Sequence, residues 1–281
     1  MSEPTILDRI VARRTLDVAA AKAAVPAAAL NARLPDAPPH LDFVARLRAA
    51  GDMALIAEIK RASPSKGDIA PGIDAAAQGA AYANAGAAGI SVLTEPSWFK
   101  GTLDDMLAVR QAVACLGDSR PGVLRKDFIV DEYQVLEARV YGADSVLLIV
   151  ASLTDAVLAH LISVARSLAM EPLVEVNSGE EMERALSAGA TLIGVNNRDL
   201  RNFAVDLGTT DRLAAMVPGG VLLAALSGIQ TRADVERFQA AGARAVLVGE
   251  ALMAADDAPA KVRQLLGALP EAAVPSAEAT R

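Results

Sequence analysis

The chain has 281 residues, of which 53% are hydrophobic, 3% aromatic and 22% charged, and its formal net charge is −7. This composition predicts a globular protein with enough apolar material for a large core, and it excludes a disordered or collagen-like chain. The acidic balance and the scarcity of aromatic residues argue against a nucleic-acid binder, which needs a basic surface and stacking side chains.

The first eight residues include Glu3 and Asp8 and lack the apolar segment of a signal peptide, and no uninterrupted apolar run reaches membrane-spanning length. The single cysteine, Cys115, rules out an internal disulfide and fits a reducing compartment. We therefore expect a cytoplasmic protein that does not enter a membrane. Cys115 is better explained as a small apolar side chain than as a nucleophile.

Apolar residues recur at near-helical intervals over residues 5–24, which predicts an amphipathic helix. Prolines then interrupt the chain, and residues 41–47 predict a short helix before the first strand. Residues 1–50 are too few to hold a core of their own, so we interpret them as a helical extension of the domain that follows.

From Ala54 onward one unit recurs, consisting of an apolar run of strand length, a polar loop, a helix and a turn into the next run. The apolar runs are residues 55–59, 89–93, 122–125, 145–150, 172–176, 192–195, 221–225 and 245–248. Most of them do not alternate with polar residues, as expected for parallel strands covered on both faces. Eight such units predict an α/β fold, a closed (β/α)8 TIM barrel over residues 51–269, better than an open doubly wound sheet.

Four of the turns before these strands contain a Gly-Ala pair, at Gly86, Gly142, Gly189 and Gly242. Glycine readily adopts the left-handed conformation that ends a helix, so these turns support the helix-to-strand transitions of a barrel. Residues 270–281 are rich in Ala, Pro and Glu, and we expect them to form a disordered tail.

Polar side chains collect where the predicted strands end. Glu58 and Lys60 end the first strand and share a face because they are two residues apart. Lys126 ends the third strand, Glu175 lies in the fifth, and Asn196 ends the sixth. For a single pair, a salt bridge that closes the barrel explains the charges as well as catalysis does. Convergence from four strands favours a functional site, because barrel enzymes carry their chemistry at this end.

The last two strands are followed by small residues. Ser227 and Gly228 follow the seventh strand and Gly249 follows the eighth, each where a helix opens. In barrels, the loops after these two strands often bind a phosphate through backbone N–H groups. A tight turn explains either glycine alone nearly as well, but their joint position favours a phosphate site.

Between Asp42 and about Met253 the chain closely resembles the indole-3-glycerol phosphate synthase family. The segments that carry the resemblance are residues 56–67, 91–95, 124–128, 173–176 and 193–200. The family has a TIM barrel preceded by an extra segment that packs near the barrel mouth. The resemblance implies a carbon-carbon lyase of tryptophan biosynthesis. The reaction converts 1-(2-carboxyphenylamino)-1-deoxyribulose 5-phosphate to indole-3-glycerol phosphate, with loss of carbon dioxide and water and without a cofactor or metal.

The resemblance also implies roles for the strand-end residues. Ring closure develops negative charge on the sugar carbonyl oxygen, so it needs a general acid, and we assign Lys126 to this role. Lys60 suits the substrate carboxylate, and Glu58 pairs with a lysine to keep it oriented and charged. Glu175 is the base of the dehydration step, and Asn196 offers its amide to a sugar hydroxyl or to the leaving oxygen. The sequence leaves open whether Lys60 or Lys126 is the acid in the dehydration.

Phosphate contacts are implied for Ser227, Gly228, Gly249 and the backbone N–H of Glu250, with Ser63 and Lys60 on the opposite side. Arg198 either contacts the ligand or bridges strands, and the sequence supports both interpretations equally.

Two positions depart from the family pattern. Leu226 stands where the family commonly has Glu, so we expect altered coupling among the pKa values of Lys126, Glu58 and Glu175. Glu250 stands where a serine is frequent, and we expect its side chain to turn away from the phosphate and only its amide to contribute.

Three aromatic residues, Trp98, Phe99 and Phe128, follow the second and third strands. An apolar shelf for the anthranilate ring of the substrate is one interpretation, and core packing under the loops is the other. His40 and His160 are not spaced with a second ligand, so no metal site is predicted.

Three alternatives remain open. A Schiff-base aldolase would use Lys126 as its nucleophile. Phosphoribosylanthranilate isomerase would need a Cys and Asp pair, whereas Cys115 lies in a predicted helix. A catalytically inactive barrel would only bind a phosphorylated ligand. For the assignment implied by the resemblance we expect a phosphorylated small molecule as the partner, and a monomer, because the sequence shows a solitary domain and no apolar surface stripe.

Overall fold

The computed structural model describes residues 3–268, and within this range the chain forms a closed barrel of parallel strands. We label the barrel strands β1 to β8 in chain order: Ala54–Ile59, Gly89–Leu93, Gly122–Lys126, Ser145–Ile149, Leu173–Val176, Leu192–Asn196, Leu222–Leu226 and Ala245–Val248. Consecutive strands are neighbours, and β8 pairs with β1 to close the ring. The predicted TIM barrel is confirmed, with strand ends within one residue of those expected.

Helices precede β1 and follow every barrel strand. They are α1 to α12 in chain order: Ile6–Ala24, Ala27–Arg33, Phe43–Arg48, Ala75–Asn84, Leu103–Ala112, Glu132–Val140, Asp155–Ser167, Gly179–Ser187, Gly208–Ala214, Arg232–Ala240, Glu250–Met253 and Ala258–Leu266. Short stretches of 3-10 helix cover Leu34–Asp36, Ala114–Ser119 and Val150–Ser152, and the second of these is kinked at Gly117. The two-residue strands Ala62–Ser63 and Gly67–Asp68 form a small hairpin in the loop after β1. Among the described residues, no helix is both long enough and apolar enough to cross a membrane.

Successive residues of β1 point alternately into the barrel and out toward the helices. Ile56 belongs to the apolar cluster inside the barrel, whereas Leu55 and Ala57 belong to the cluster between strands and helices. Burying each large aliphatic side chain contributes about 1.5–3 kcal/mol, which fixes this register. Glu58 therefore faces the interior, like Ile56, and Lys60 continues the same alternation beyond the end of the strand.

The four Gly-Ala turns behave as the sequence predicts. Gly86, Gly142, Gly189 and Gly242 have φ values of 100°, 85°, 83° and 103°. A residue with a Cβ adopts this region only with strain, so glycine ends each helix at little cost before the chain enters the next strand.

The N-terminal helices cover both ends of the barrel. At the end where the strands begin, Phe43 of α3 lies so close that a Cβ added to Gly122 would be 2.3 Å from its Cδ2 atom. At the opposite end, Leu7 and Ile10 of α1 share a buried cluster with Phe128. The extension thus closes one end of the barrel with apolar side chains and borders the mouth at the other.

Both helices expected in the extension are present, whereas α2 was not predicted. The sequence interpretation treated Pro26 as the start of a break, but this residue is the N-cap of α2, where the fixed φ of proline is compatible with a helix start. The predicted tail, residues 270–281, lies outside the described residues.

Candidate active site

A cavity opens at the carboxyl ends of the barrel strands. Every site residue predicted from the sequence lines it: Glu58, Lys60, Ser63, Lys126, Glu175, Asn196, Arg198, Ser227, Gly228, Gly249 and Glu250. They come from β1, β3 and β5 to β8 or from the loops that follow, so the barrel brings together residues almost 200 positions apart in the chain.

Lys126 and Glu175 form the centre of this cavity. The Lys126 Nζ atom lies 3.5 Å from Glu175 Oε2, and the Asn196 amide donates a hydrogen bond of 2.8 Å to Glu175 Oε1. The Glu175 side chain is 2% exposed and that of Lys126 is 18% exposed. Each carboxylate oxygen thus has one partner, while the ammonium group retains N–H donors that face the cavity.

Glu58 and Lys60 form a second pair on the β1 side, with 2.9 Å between Nζ and Oε1. Burial alone would raise the pKa of the Glu58 carboxyl, but the charges of Lys60, Lys126 and Arg198 outweigh burial and lower its pKa below the ordinary value. Glu58 is therefore an anion at neutral pH, and Lys60 is held beside it.

Gly249 makes room for the Glu58 carboxylate. A Cβ added at Gly249 would lie 2.4 Å from Glu58 Oε1, a distance that real side chains do not tolerate. The sequence interpretation considered only backbone freedom and phosphate contact for this glycine, so its close approach to Glu58 is a finding of the structure.

The turn after β7, formed by Ser227 and Gly228, lies where TIM barrels often bind a phosphate, and we refer to it as the anion-binding turn. Ser227 and Gly228 have consecutive positive φ values of 65° and 81°. The Asn197 side-chain amide donates to the carbonyls of Leu226 and Ser227 at 3.1 Å and 3.2 Å, which fixes the turn. Positive φ is rare for a serine, and such strained conformations cluster at functional sites.

Glu250 does not turn away from the cavity as expected. Its carboxylate bonds to the Lys66 ammonium and to the Arg198 guanidinium, with 3.2 Å between Arg198 Nη2 and Glu250 Oε2. Both cations line the cavity. The expectation was wrong because the sequence does not reveal that the loops after β1 and β6 bring two cations to this carboxylate. Lys66, followed by Arg198, also lowers the pKa of Glu250.

Phe99 and Phe128 line the cavity, and their ring centroids are 5.9 Å apart. Trp98 does not belong to the cavity lining and packs against the barrel-interior cluster instead. Glu95 holds this loop, because its buried carboxylate accepts hydrogen bonds from the backbone N–H groups of residues 97, 98 and 99. Two of the three predicted aromatics are thus placed where an aromatic substrate ring could pack.

Arg14 of α1 reaches the strand end that carries Lys126, a contact that the sequence did not predict. Its guanidinium makes two hydrogen bonds to the Asp127 carboxylate, at 3.0 Å and 2.9 Å. Asp127 also accepts hydrogen bonds from Thr94 and Arg125. This buried network fixes the backbone immediately after Lys126. The only signal for it in the sequence was an arginine among the residues that form the buried face of α1.

Leu226 points into the barrel and lines the cavity floor. Its side chain packs over Gly194, where an added Cβ would lie 2.7 Å from Leu226 Cδ1. Leu226 therefore presents an apolar side chain to the mouth of the cavity in place of a charged one. The carboxylates that pair with Lys60 and Lys126 are those of Glu58 and Glu175.

The described residues contain no group of three or more His, Cys, Asp or Glu side chains arranged to hold a metal ion. The arrangement that is present consists of two lysine–carboxylate pairs, an amide, an apolar wall and an anion-binding turn. It can bind an anion at one side, pack an aromatic ring and transfer protons between them.

The chain is similar to proteins of known family. Residues 7–265 match the family model described as indole-3-glycerol phosphate synthase. An indole-3-glycerol phosphate synthase from Roseiflexus sp. strain RS-1 is 48% identical over 265 residues, which cover 94% of this chain and 98% of the relative.

A multifunctional tryptophan biosynthesis protein from Phycomyces blakesleeanus is 53% identical over 284 residues, covering 99% of this chain but 36% of the relative. The chain therefore spans about a third of the length of that multifunctional relative. Among solved structures, thiamine phosphate pyrophosphorylase from Pyrococcus furiosus superposes with a TM-score of 0.58 at 17% identity, covering 78% of this chain and 96% of the other, a likeness that concerns the fold alone. The extent of the family match and the identity to full-length relatives place the chain in the indole-3-glycerol phosphate synthase family.

Proposed function

We propose that the chain converts 1-(2-carboxyphenylamino)-1-deoxyribulose 5-phosphate to indole-3-glycerol phosphate by general acid and base catalysis. The observation that carries the proposal is the position of Lys126 and Glu175, 3.5 Å apart inside a cavity that also holds an anion-binding turn and an aromatic wall. Family membership supports the same reaction.

Lys126 acts as the general acid in ring closure. The aromatic carbon that bears the carboxylate attacks the ketone carbon, and the carbonyl oxygen takes a proton from Lys126 to become a hydroxyl. A cation placed at the oxygen also stabilises the negative charge that develops there. The bond to the carboxylate then breaks, carbon dioxide leaves, and the electron pair restores the aromatic ring.

Lys60 binds the substrate carboxylate, and Glu58 holds Lys60 in place. Their distance of 2.9 Å and low exposure support this pairing. The anthranilate ring packs against Phe99 and Phe128, so the carboxylated carbon is held beside the ketone.

Glu175 acts as the base in dehydration and removes a proton from the newly formed ring, while an ammonium group, that of Lys60 or Lys126, gives a proton to the hydroxyl so that it leaves as water. The Asn196 amide, 2.8 Å from Glu175 Oε1, orients the carboxylate and lies where it can contact a substrate hydroxyl. Lys126, 3.5 Å from Glu175, can receive a proton back from it. One further proton comes from water, because a carboxylate is lost as carbon dioxide and the overall reaction consumes one proton.

The phosphate binds at the turn of Ser227 and Gly228, with Arg198 nearby and with Ser63 from the opposite loop. The position of the turn supports this placement, because TIM barrels often bind a phosphate in the loops after their last two strands.

The test is formation of indole-3-glycerol phosphate, followed by indole fluorescence, with purified protein and no added metal or cofactor. We expect product to accumulate in proportion to protein concentration, and a preparation that yields none would contradict the proposal. Borohydride added with substrate tests the aldolase alternative, because a stable adduct on Lys126 would favour a Schiff base over acid catalysis.

A monomeric state and a cytoplasmic location stay predictions from the sequence. Light scattering on the purified protein measures the first, and a mass near twice 29.0 kDa would contradict it.

A further inference from the structure

Three loops meet at the rim of the cavity through the carboxylate of Glu250. It bonds to Lys66 in the loop after β1 and to Arg198 in the loop after β6, while Glu250 itself opens α11 after β8. The residues are 184 and 52 positions apart from Glu250 in sequence. The chemistry proposed above leaves Glu250 and Lys66 without a side-chain role.

These cations face the same space as the anion-binding turn. Lys66 and Arg198 line the cavity together with Ser227 and Gly228. Apart from Glu250, the only hydrogen-bond acceptor of the Arg198 side chain in the described part of the chain is the carbonyl of Phe203 at 3.4 Å. A dianion bound at the turn would therefore find both cations already bonded to the Glu250 carboxylate.

The bonds to Glu250 are of a kind that exchanges readily. The Glu250 side chain is 36% exposed and that of Lys66 is 52% exposed. Ion pairs with this exposure are weak because water screens both charges. A phosphate group carries more negative charge than a carboxylate and has more acceptor oxygens, so it can displace Glu250 from both cations.

We propose that Glu250 competes with the substrate phosphate for Lys66 and Arg198 and so sets the affinity of the site for its substrate. This inference rests on the function proposed above. When the site is empty, the carboxylate holds the loop after β1 to the rim. A dianionic phosphate displaces the carboxylate, whereas singly charged anions, which bind the two cations more weakly, do so much less. Glu250 thus lowers the affinity of the site for every anion that must displace it.

The experiment is calorimetric titration of the Glu250→Gln variant with inorganic phosphate and, separately, with acetate. We expect the Kd for phosphate to fall about three- to tenfold, the range of a partly exposed ion pair, and the KM for substrate to fall by a similar factor. Acetate affinity should rise by at most the same factor, because an internal competitor lowers the affinity of every ligand that must displace it by one common factor. Glu236→Gln is the matched control, since it removes the same charge from an exposed ion pair on α10.

A second variant separates competition from simple anchoring. Lys66→Met should weaken phosphate binding more in the Glu250→Gln background than in the wild type. In the wild type, Lys66 is bonded to Glu250 and is therefore less available to the phosphate. If Glu250 instead positions Arg198 for the substrate, Glu250→Gln will raise both Kd and KM. That result, an unchanged Kd, or equal effects of Lys66→Met in the two backgrounds would each overturn the proposal.

The phosphate titration does not require turnover, so it can fail independently of the proposed function. A wild-type protein that forms no indole-3-glycerol phosphate would contradict the proposed function. A variant without improved phosphate binding would contradict the competition by Glu250, even if the wild type is active.

Discussion

The barrel holds a buried ion pair at each end, and the two pairs are bonded very differently. Where the strands begin, Arg120 and Asp144 are 4% and 0% exposed, and Asp144 also accepts hydrogen bonds from the backbone N–H groups of Leu41 and Val123. Where the strands end, Lys126 meets Glu175 at 3.5 Å and faces a cavity. The first pair is saturated with partners, whereas the second retains free donors.

This difference shows how one fold can use one ion pair for stability and another for catalysis. A saturated pair inside a closed end can hold the N-terminal extension to the barrel, but it cannot accept a substrate. An unsaturated pair contributes less to stability, yet its donors are available to a reacting molecule. The predictions below test this separation at single residues.

The largest effect on stability is expected from Asp144→Ala. Removing this carboxylate leaves Arg120 buried without its charge partner, which should lower the free energy of unfolding by about 3–5 kcal/mol. Turnover by the folded fraction should stay near that of the wild type. Urea unfolding measures the free energy of unfolding, and steady-state kinetics measure the turnover. The control is Asp118→Ala, which removes an exposed carboxylate at the same end of the barrel. If kcat were still reduced after correction for the unfolded fraction, Asp144 would also affect catalysis, and the separation of stability from chemistry would be contradicted.

Glu175→Gln should have the opposite signature. The amide keeps the shape of the side chain but cannot act as a base, so kcat/KM should fall about 10²–10³-fold while the free energy of unfolding changes by about 1 kcal/mol or less. Exposed Glu180→Gln, on the helix that follows, controls for the loss of charge. A variant that keeps its activity would remove Glu175 from the chemistry.

Gly249→Ala should disturb the mouth without breaking the core. The added Cβ would lie 2.4 Å from Glu58 Oε1, so the carboxylate must shift from the position in which it bonds to Lys60. Displacement on this scale should lower kcat/KM about 10–100-fold. Gly72→Ala is a suitable control because its Cβ would meet nothing within 4 Å. Equal activities for the two variants would show that the Glu58 position is not critical.

The smallest effect concerns pH. Because the pKa of Glu58 is lower in the folded protein than in the unfolded chain, its ionised form stabilises the fold above the unfolded pKa of about 4.3. This contribution is lost as the pH falls through the folded pKa. Between pH 6 and 3, the wild type should therefore lose more unfolding free energy than Glu58→Gln. Parallel pH dependences would contradict the lowered pKa.

The sequence predicted the barrel and the membership of the site because both depend on local patterns. Glycine marks four helix ends, at Gly86, Gly142, Gly189 and Gly242, because the chain there adopts a positive φ. The two-residue spacing of Glu58 and Lys60 places both side chains on one face of a strand. Position at a strand end then suffices to bring Lys126, Glu175 and Asn196 together.

Contacts between side chains on distant loops were beyond such patterns. The bonds from Lys66 to Glu250 and from Arg14 to Asp127 join residues 184 and 113 positions apart, and nothing local specifies which cation meets which carboxylate. The short helix α2 was missed for a different reason. Its seven residues are too few to show a clear apolar period, and Pro26 was interpreted as a break.

The central claim is that Lys126 supplies the proton for ring closure while contributing little to the fold. The direct measurement is kcat/KM of Lys126→Met together with its free energy of unfolding, with Lys261→Met on the surface helix α12 as control. We predict a loss of about 10³-fold in kcat/KM, with unfolding free energy within about 1 kcal/mol of the wild type. A variant that turns over substrate within tenfold of the wild-type rate would contradict the account.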